Sequence, residues 1–208
     1  MGLDINYQVI PDNCVLLARS RQVDEFCRHL EFFPQNALLS QSELEDSAEF
    51  CDEAEYRFLV EFAQEARQLI RDYPGIEERN LCHRKWDMLY YLLSPQRRNG
   101  GDKLAGEDWA EKAIFGDEVL SLGGEKIGHP IHYLSPIEVY AIQDKLDRVD
   151  ADMLGTHWNP VAMRRAGVYK INGNESDESF QYLLELFCQF KAFYASVSED
   201  EGVLVWLS

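Results

Sequence analysis

The chain opens on strict alternation. Leu3, Ile5, Tyr7 and Val9 fall on one side and Asp4, Asn6 and Gln8 on the other, the two-residue period of a half-buried strand. At the far end Val203-Leu204-Val205-Trp206-Leu207 contains nothing polar and reads as a strand buried on both faces. Between these ends the period is helical. Pro11-Asp12-Asn13 turns the chain and caps a helix carrying Val15, Leu16 and Leu17, and a second helix near Val23–Leu30 stops before Pro34. From Ser42 to Tyr73 the positions of Leu44, Ala48, Cys51, Phe58, Phe62 and Leu69 predict one long helix, ended by Pro74-Gly75. Its other side holds Glu43, Glu45, Asp46, Glu49, Asp52, Glu53 and Glu61, almost unrelieved by base.

Trp86, Leu89, Tyr90 and Leu93 recur at i, i+3, i+4 and i+7, one face of a helix, with Arg84, Lys85, Asp87 and Tyr91 as a polar ridge beside it. Ser94–Gly101 is polar, glycine-tipped and locally basic, the best candidate in the chain for a mobile loop. A short helix around Trp109–Ala113 ends at Gly116, and Gly123-Gly124 turns the chain toward an extended Ile131–Leu134. Ser135-Pro136-Ile137-Glu138 is a strong helix start, with a hydroxyl at the cap, Pro at the first position and Glu placed to reach back. Asn159-Pro160 opens a short helix through Met163. The last helix begins near Ser176-Asp177 and presents Phe180, Leu183, Leu184, Phe187, Phe190 and Tyr194. Strands at both ends with helices between them predict an α+β fold. The expectation is a single domain over residues 1–208. Its small mixed sheet holds the first and last strands, with 131–134 alongside, and is covered by several helices.

Composition narrows the function classes. The 208 residues are 46% hydrophobic and 12% aromatic, ample for a buried core. A net charge of -17 repels phosphate backbones, so nucleic acid is not an expected partner. No apolar run approaches a membrane span. The start has neither the basic region nor the apolar run of a signal peptide, and Asn6 stands where a myristoylation signal at Gly2 needs Ser or Thr. Cys14, Cys27, Cys51, Cys82 and Cys188 are odd in number and widely spaced. They point to reduced thiols in a cytoplasmic protein.

No established chemistry emerges from motifs. His129 and His132 are three apart on an extended segment, so their rings point to opposite faces, and neither paired Cys nor a zinc-type helix accompanies them. Cys82-His83 are adjacent and cannot face each other in a helix or strand. There is no Gly-x-Ser-x-Gly elbow, and Gly116, Gly123-Gly124 and Gly128 form no phosphate loop. No metal and no cofactor is called for.

Arg84-Lys85-Trp86-Asp87-Met88-Leu89-Tyr90-Tyr91 resembles a stretch of the YfbM-like family, a bacterial domain-of-unknown-function group. The resemblance continues through Lys112–Gly116, His132–Val139, Tyr182-Leu183-Leu184, Phe193-Tyr194 and Val203-Leu204-Val205. It covers most of residues 81–208 and the first ten, and no counterpart is recognised for 34–80. Tyr90 stands where the family often has His, and His132 where it often has Arg. The resemblance implies a fold and no activity.

Three functions remain open. The first is a non-catalytic cytoplasmic interaction protein whose acidic surface binds a basic protein partner, such as a toxin it neutralises. The second is a small-molecule binding or sensing domain with a site between the Trp86 helix and the Tyr133 strand. The third is an enzyme of unrecognised type. Any small-molecule site is expected where the motif blocks meet, with polar groups from Asp87, Tyr90, His132 and Tyr133 and an apolar wall from Trp86 and Trp109.

Overall fold

A computed structural model describes residues 3–94, 108–121 and 129–208, with all their side chains except those of Glu25 and Ser121. The Met1-Gly2 start, the Pro95–Gly101 part of the expected loop and the Gly123-Gly124 turn lie outside the described residues. Strands β1 (Ile5–Pro11), β2 (Asn80–His83), β3 (Glu118–Ser121), β4 (Ile131–Leu134) and β5 (Glu201–Leu207) form one sheet in the order β2-β1-β5-β4-β3. The first and last strands pair over their whole lengths, Tyr7 opposite Val205, and β4 pairs with the other side of β5. Every pairing is antiparallel, where the sequence left strand direction mixed. The fold is α+β as expected.

Register sorts side chains onto two faces, because residues opposite each other in a ladder point the same way. Tyr7, Val205, His132 and His83 share one face; Asn6, Gln8, Trp206, Leu204, Tyr133 and Cys82 share the other. Helices cover both. Against the Tyr7 face lie α6 (Trp86–Leu93), α7 (Trp109–Phe115), α8 (Pro136–Asp147) and α11 (Asp177–Ala195). Phe190, Phe193 and Tyr194 of α11 surround the Tyr7 ring at centroid distances of 5.6, 5.8 and 6.5 Å. Toward the Gln8 face lie α1 (Val15–Ser20), α2 (Asp24–Cys27), a 3-10 turn (Arg28–Phe32) and α3 (Gln35–Leu38), backed by α5 (Glu53–Asp72). The short helices α9 (Ala151–His157) and α10 (Pro160–Arg165) complete the far side. No helix among the described residues is long and apolar enough to cross a membrane.

Four expectations change. The long helix of Ser42–Tyr73 is two helices, α4 (Gln41–Ser47) and α5. Asp52 makes the break, its carboxylate accepting the Ala54 and Glu55 amide hydrogens at 2.9 Å in a capping box, a geometry that requires non-helical backbone at the cap. Residues of α5 also lose their unrelieved acidity, because Glu61 and Glu65 both pair with Arg19. The polar ridge of the Trp86 helix divides: Arg84 stays exposed, but Asp87 and Tyr91 are each 3% exposed, since α7, α9 and α11 all pack on α6. The polar side of β1 is not solvated either. Gln8 is 1% exposed, and its amide nitrogen donates to the carbonyls of Ile76 at 2.8 Å and Arg79 at 3.3 Å. The Ser135 start holds, with Ser135 N–H donating to Glu138 Oε2 at 2.8 Å.

Candidate functional site

Trp86 enters α6 with its ring crossed by Phe115 at 5.4 Å and stacked on Tyr169 at 5.9 Å, while its indole N–H donates to Leu3 O at 3.2 Å. Asp87 follows in the first turn, where the helix dipole favours a carboxylate, and accepts the Tyr169 N–H at 2.6 Å. One turn on, Tyr90 packs its ring on Phe115 at 5.3 Å and donates its hydroxyl to Asp108 Oδ2 at 3.2 Å. Asp108 also accepts the Ser94 hydroxyl at 3.0 Å and caps α7 through the Ala110 N–H at 3.1 Å. Trp109, half-buried, begins that helix. Trp86 and Tyr90 therefore share one aromatic cluster through Phe115, with Asp87 tied to Tyr169 beside it, while Trp109 stands at the opposite end of the helix that carries Phe115.

His132 lies close to this cluster and Tyr133 does not. Gly116, at φ 80°, passes so near β4 that a Cβ there would stand 2.5 Å from His132 Cβ. The glycine ending α7 is required by that approach as well as by its left-handed backbone. Burial holds the His132 imidazole below its ordinary pKa, with Asp117 opposing. Tyr133 points to the other face of the sheet, because successive strand residues alternate. Its hydroxyl donates to Asp12 Oδ1 at 2.6 Å, and the Arg21 guanidinium stands 4.9 Å over its ring. Burial, and then the Asp12 carboxylate, push its phenol far up.

His83, set aside in the sequence as a partner for Cys82, is a buried titratable group of its own. On the Tyr7 face, 7% exposed, it stacks on Tyr7 at 6.0 Å, and neither ring nitrogen has a hydrogen-bond partner among the described residues. Burial lowers its pKa to about 4, with Asp4 opposing, so it is neutral at pH 7. Its neighbour Cys82 is exposed on the opposite face, in the strand relation that keeps the pair apart. No group of three or more His, Cys, Asp or Glu side chains placed to hold a metal ion occurs among the described residues.

Two surface features complete the picture. On α8, Val139, Ile142 and Leu146 are buried, so the helical period turns Ile137 and Tyr140 outward, to 82% and 73% exposure. They border a groove of about 270 Å³ whose other wall includes Val197 and Glu199. A second groove, of about 390 Å³, lies on the Gln8 face between the open side of β1 and β2 and the Glu31–Gln35 segment. The signal for the first was in the sequence, as two large apolar residues off the core stripe. For the second the only signal was the polar side of β1.

The chain is similar to a solved structure from Escherichia coli, that of YfbM, a protein of unknown function, with 19% identity over 68% of this chain and 92% of that one, at a TM-score of 0.43. No curated protein matches. Residues 35–206 match the family described as Domain of unknown function (DUF1877), a span that includes the 35–80 stretch for which no counterpart was recognised, and the chain belongs to that family.

Proposed function

We propose that this chain, a single domain over residues 1–208, is a non-catalytic cytoplasmic interaction protein that binds a basic protein partner through the exposed face of α8. The observation that supports this reading is the stripe Ile137, Tyr140 and Asp144. Two of its members are among the most exposed large apolar side chains of the described residues, and the third is an acid one turn further on. Glu199 and Asp200, both exposed, lie at or next to the groove beside it. An apolar anchor rimmed by carboxylates, on a chain of net charge -17, suits a segment carrying an apolar side chain between Lys or Arg residues. A toxin neutralised in this way fits the same chemistry.

A photo-crosslinking residue at Tyr140, introduced in the native host, tests the reading. The expected product is a partner whose cross-linked segment is net positive, lost on I137D together with Y140D and weakened by raised salt. Cross-linking to an acidic or neutral segment overturns the proposal, as does a product unchanged by the double substitution or a product that is a second copy of this chain. A second reading takes Trp86, Asp87, Tyr90 and Trp109, with His132 close by, as a small-molecule binding or sensing site. What favours it is a carboxylate buried at 3% exposure beside a Trp–Tyr stack.

A further inference from the structure

The groove on the Gln8 face has walls of unlike chemistry. One wall is the Gln8 face of β1 and β2, where Asn6 and Asn80 present amides and Ser208 lies close by. Asn6 is held in place, its amide nitrogen donating to Ser208 Oγ at 2.9 Å. The other wall is the segment of Glu31 and Phe32, with Phe32 half-exposed at the rim and Trp206 buried at the base. Among the described residues neither Lys nor Arg lines the space.

Glu31 is the informative member. Its carboxyl is half-buried, and it has neither hydrogen bond nor ion pair among the described residues. Burial alone, with no countering charge, holds its pKa above the ordinary carboxylate value. Four other carboxylates of the helical layer on that side are engaged by contrast: Glu43 and Glu55 close capping boxes, and Glu61 and Glu65 take Arg19. A lone carboxylate in a polar groove, with aromatic edges and no basic residue, excludes anionic ligands and leaves room for a cation. The net charge of -17 adds a field that concentrates cations and repels phosphates. At about 390 Å³ the space falls at the small end of ligand sites.

We propose that this groove binds a small primary amine, its ammonium on the Glu31 carboxylate, its polar atoms on the Asn6 and Asn80 amides and its body against Phe32. Free amines and a lysine side chain of another protein share that chemistry, and the assignment is to the free amine.

The test is ligand-observed NMR on the full chain with glucosamine, tyramine and agmatine. For the first two the N-acetyl derivatives serve as uncharged counterparts, and a capped lysine peptide is the protein-like competitor. The expected result is binding of at least one amine at millimolar or lower Kd, at least tenfold weaker binding of its N-acetyl form where one is tested, and at least tenfold loss on Glu31→Gln. The bound amine should also slow maleimide labelling of Cys82, which lines the groove and is exposed, while leaving Cys188, exposed outside it, unchanged. That readout needs no variant to fold. The proposal is overturned if none of the three amines binds, if acetylated and free forms bind alike, if Glu31→Gln binds as the parent does, or if Cys82 is not protected. Tighter binding of the lysine peptide than of every free amine overturns the small-molecule assignment.

Discussion

The two faces of the sheet bury their side chains in opposite ways. Tyr7 and Gln8 are neighbours on β1 and both are almost fully covered. Tyr7 enters an aromatic cluster and meets its one polar need by donating its hydroxyl to Ile114 O at 3.0 Å. Gln8 is covered by polar backbone, and its amide adds hydrogen bonds to the carbonyl of Ile76, which begins a second 3-10 turn, Ile76–Glu78, and to that of Arg79, the residue that follows it. On β2 the contrast inverts: His83, on the aromatic side, is buried with unpartnered nitrogens, while Cys82, on the polar side, is exposed to a groove. Ring nitrogens without a partner among the described residues mark one face, and a thiol exposed to a groove marks the other.

The largest expected effect comes from the place where the polar-side layer crosses the sheet most closely. Gly202 of β5 lies under Tyr133; a Cβ there would stand 2.2 Å from the Tyr133 hydroxyl and 2.4 Å from Leu134 O. The backbone atom cannot give way as a side-chain end could. Gly202→Val should cost about 3 kcal/mol or more, or abolish folding, in urea melts. A near-neutral result would show that β4 and β5 can separate there, and the face assignment of Tyr133 would fail.

The aromatic face should announce itself through pH. The folded-state pKa of His83 is about 4, against 6.5 for an unhindered imidazole. Above that ordinary value both states are neutral and the group contributes nothing to the pH dependence. As pH falls below it, the unfolded chain takes up a proton that the folded chain refuses, so stability drops until the folded-state value is reached. The full loss is about 3 kcal/mol. His29 and His132, also lowered mainly by burial, add to it with the same sign. His83→Phe should remove the larger part of the decline between pH 7 and pH 4 in denaturant melts. An unchanged decline would assign it to the other groups.

On the polar face the corresponding substitution is Gln8→Leu, which removes the side-chain donor from the carbonyls of Ile76 and Arg79 and leaves each with one backbone donor, the Arg79 N–H at 3.2 Å and the Val9 N–H at 3.1 Å. A loss of about 1 kcal/mol is expected, the net contribution usual for an intramolecular hydrogen bond, since both acceptors keep a backbone donor. Hydrogen exchange should show the 76–79 turn opening with it. A loss confined to a few tenths would mean that water replaces the amide, making that side wetter than the burial of Gln8 implies.

How much of this was legible follows from the range of the interactions. The end strands, the Ser135 start and the last helix were readable because their causes lie within a few residues. The division of Ser42–Tyr73 was also local, written in Ser40-x-x-Glu43 and Asp52-x-x-Glu55, but hidden by the apolar period running through it. The edge strands β2 and β3, four residues each, owe their shape to partners and have no pattern long enough to show a period. Gln8 read as solvated because the carbonyls that hold it are 68 and 71 positions away. At the candidate site, Trp86, Asp87 and Tyr90 come together because one helix carries them. Tyr133 separates from His132 because neighbouring strand residues face opposite ways, a rule available from the sequence once 131–134 was taken as a strand.

The smallest expected effect discriminates most finely between the faces. Glu31 is a half-buried acid whose folded-state pKa is raised by burial, so its ionised form is held less well by the folded chain than by the unfolded one. For a raised acid, stability is fully present below the unfolded value of 4.5 and is lost as pH rises through the folded value. Glu31→Gln removes the charge and keeps the shape. It should raise stability at pH 7 by a few tenths of a kcal/mol, the size usual for an incompletely buried position, and the gain should vanish below about pH 4. Differential urea melts at the two pH values measure it. A loss of stability at pH 7 would mean that Glu31 has a cationic partner in the folded chain, and the groove would then have no free charge to offer a ligand. A gain confined to neutral pH would identify Glu31 as a carboxylate kept at a cost to the fold, unlike Gln8 in the same groove, whose polarity the fold itself uses.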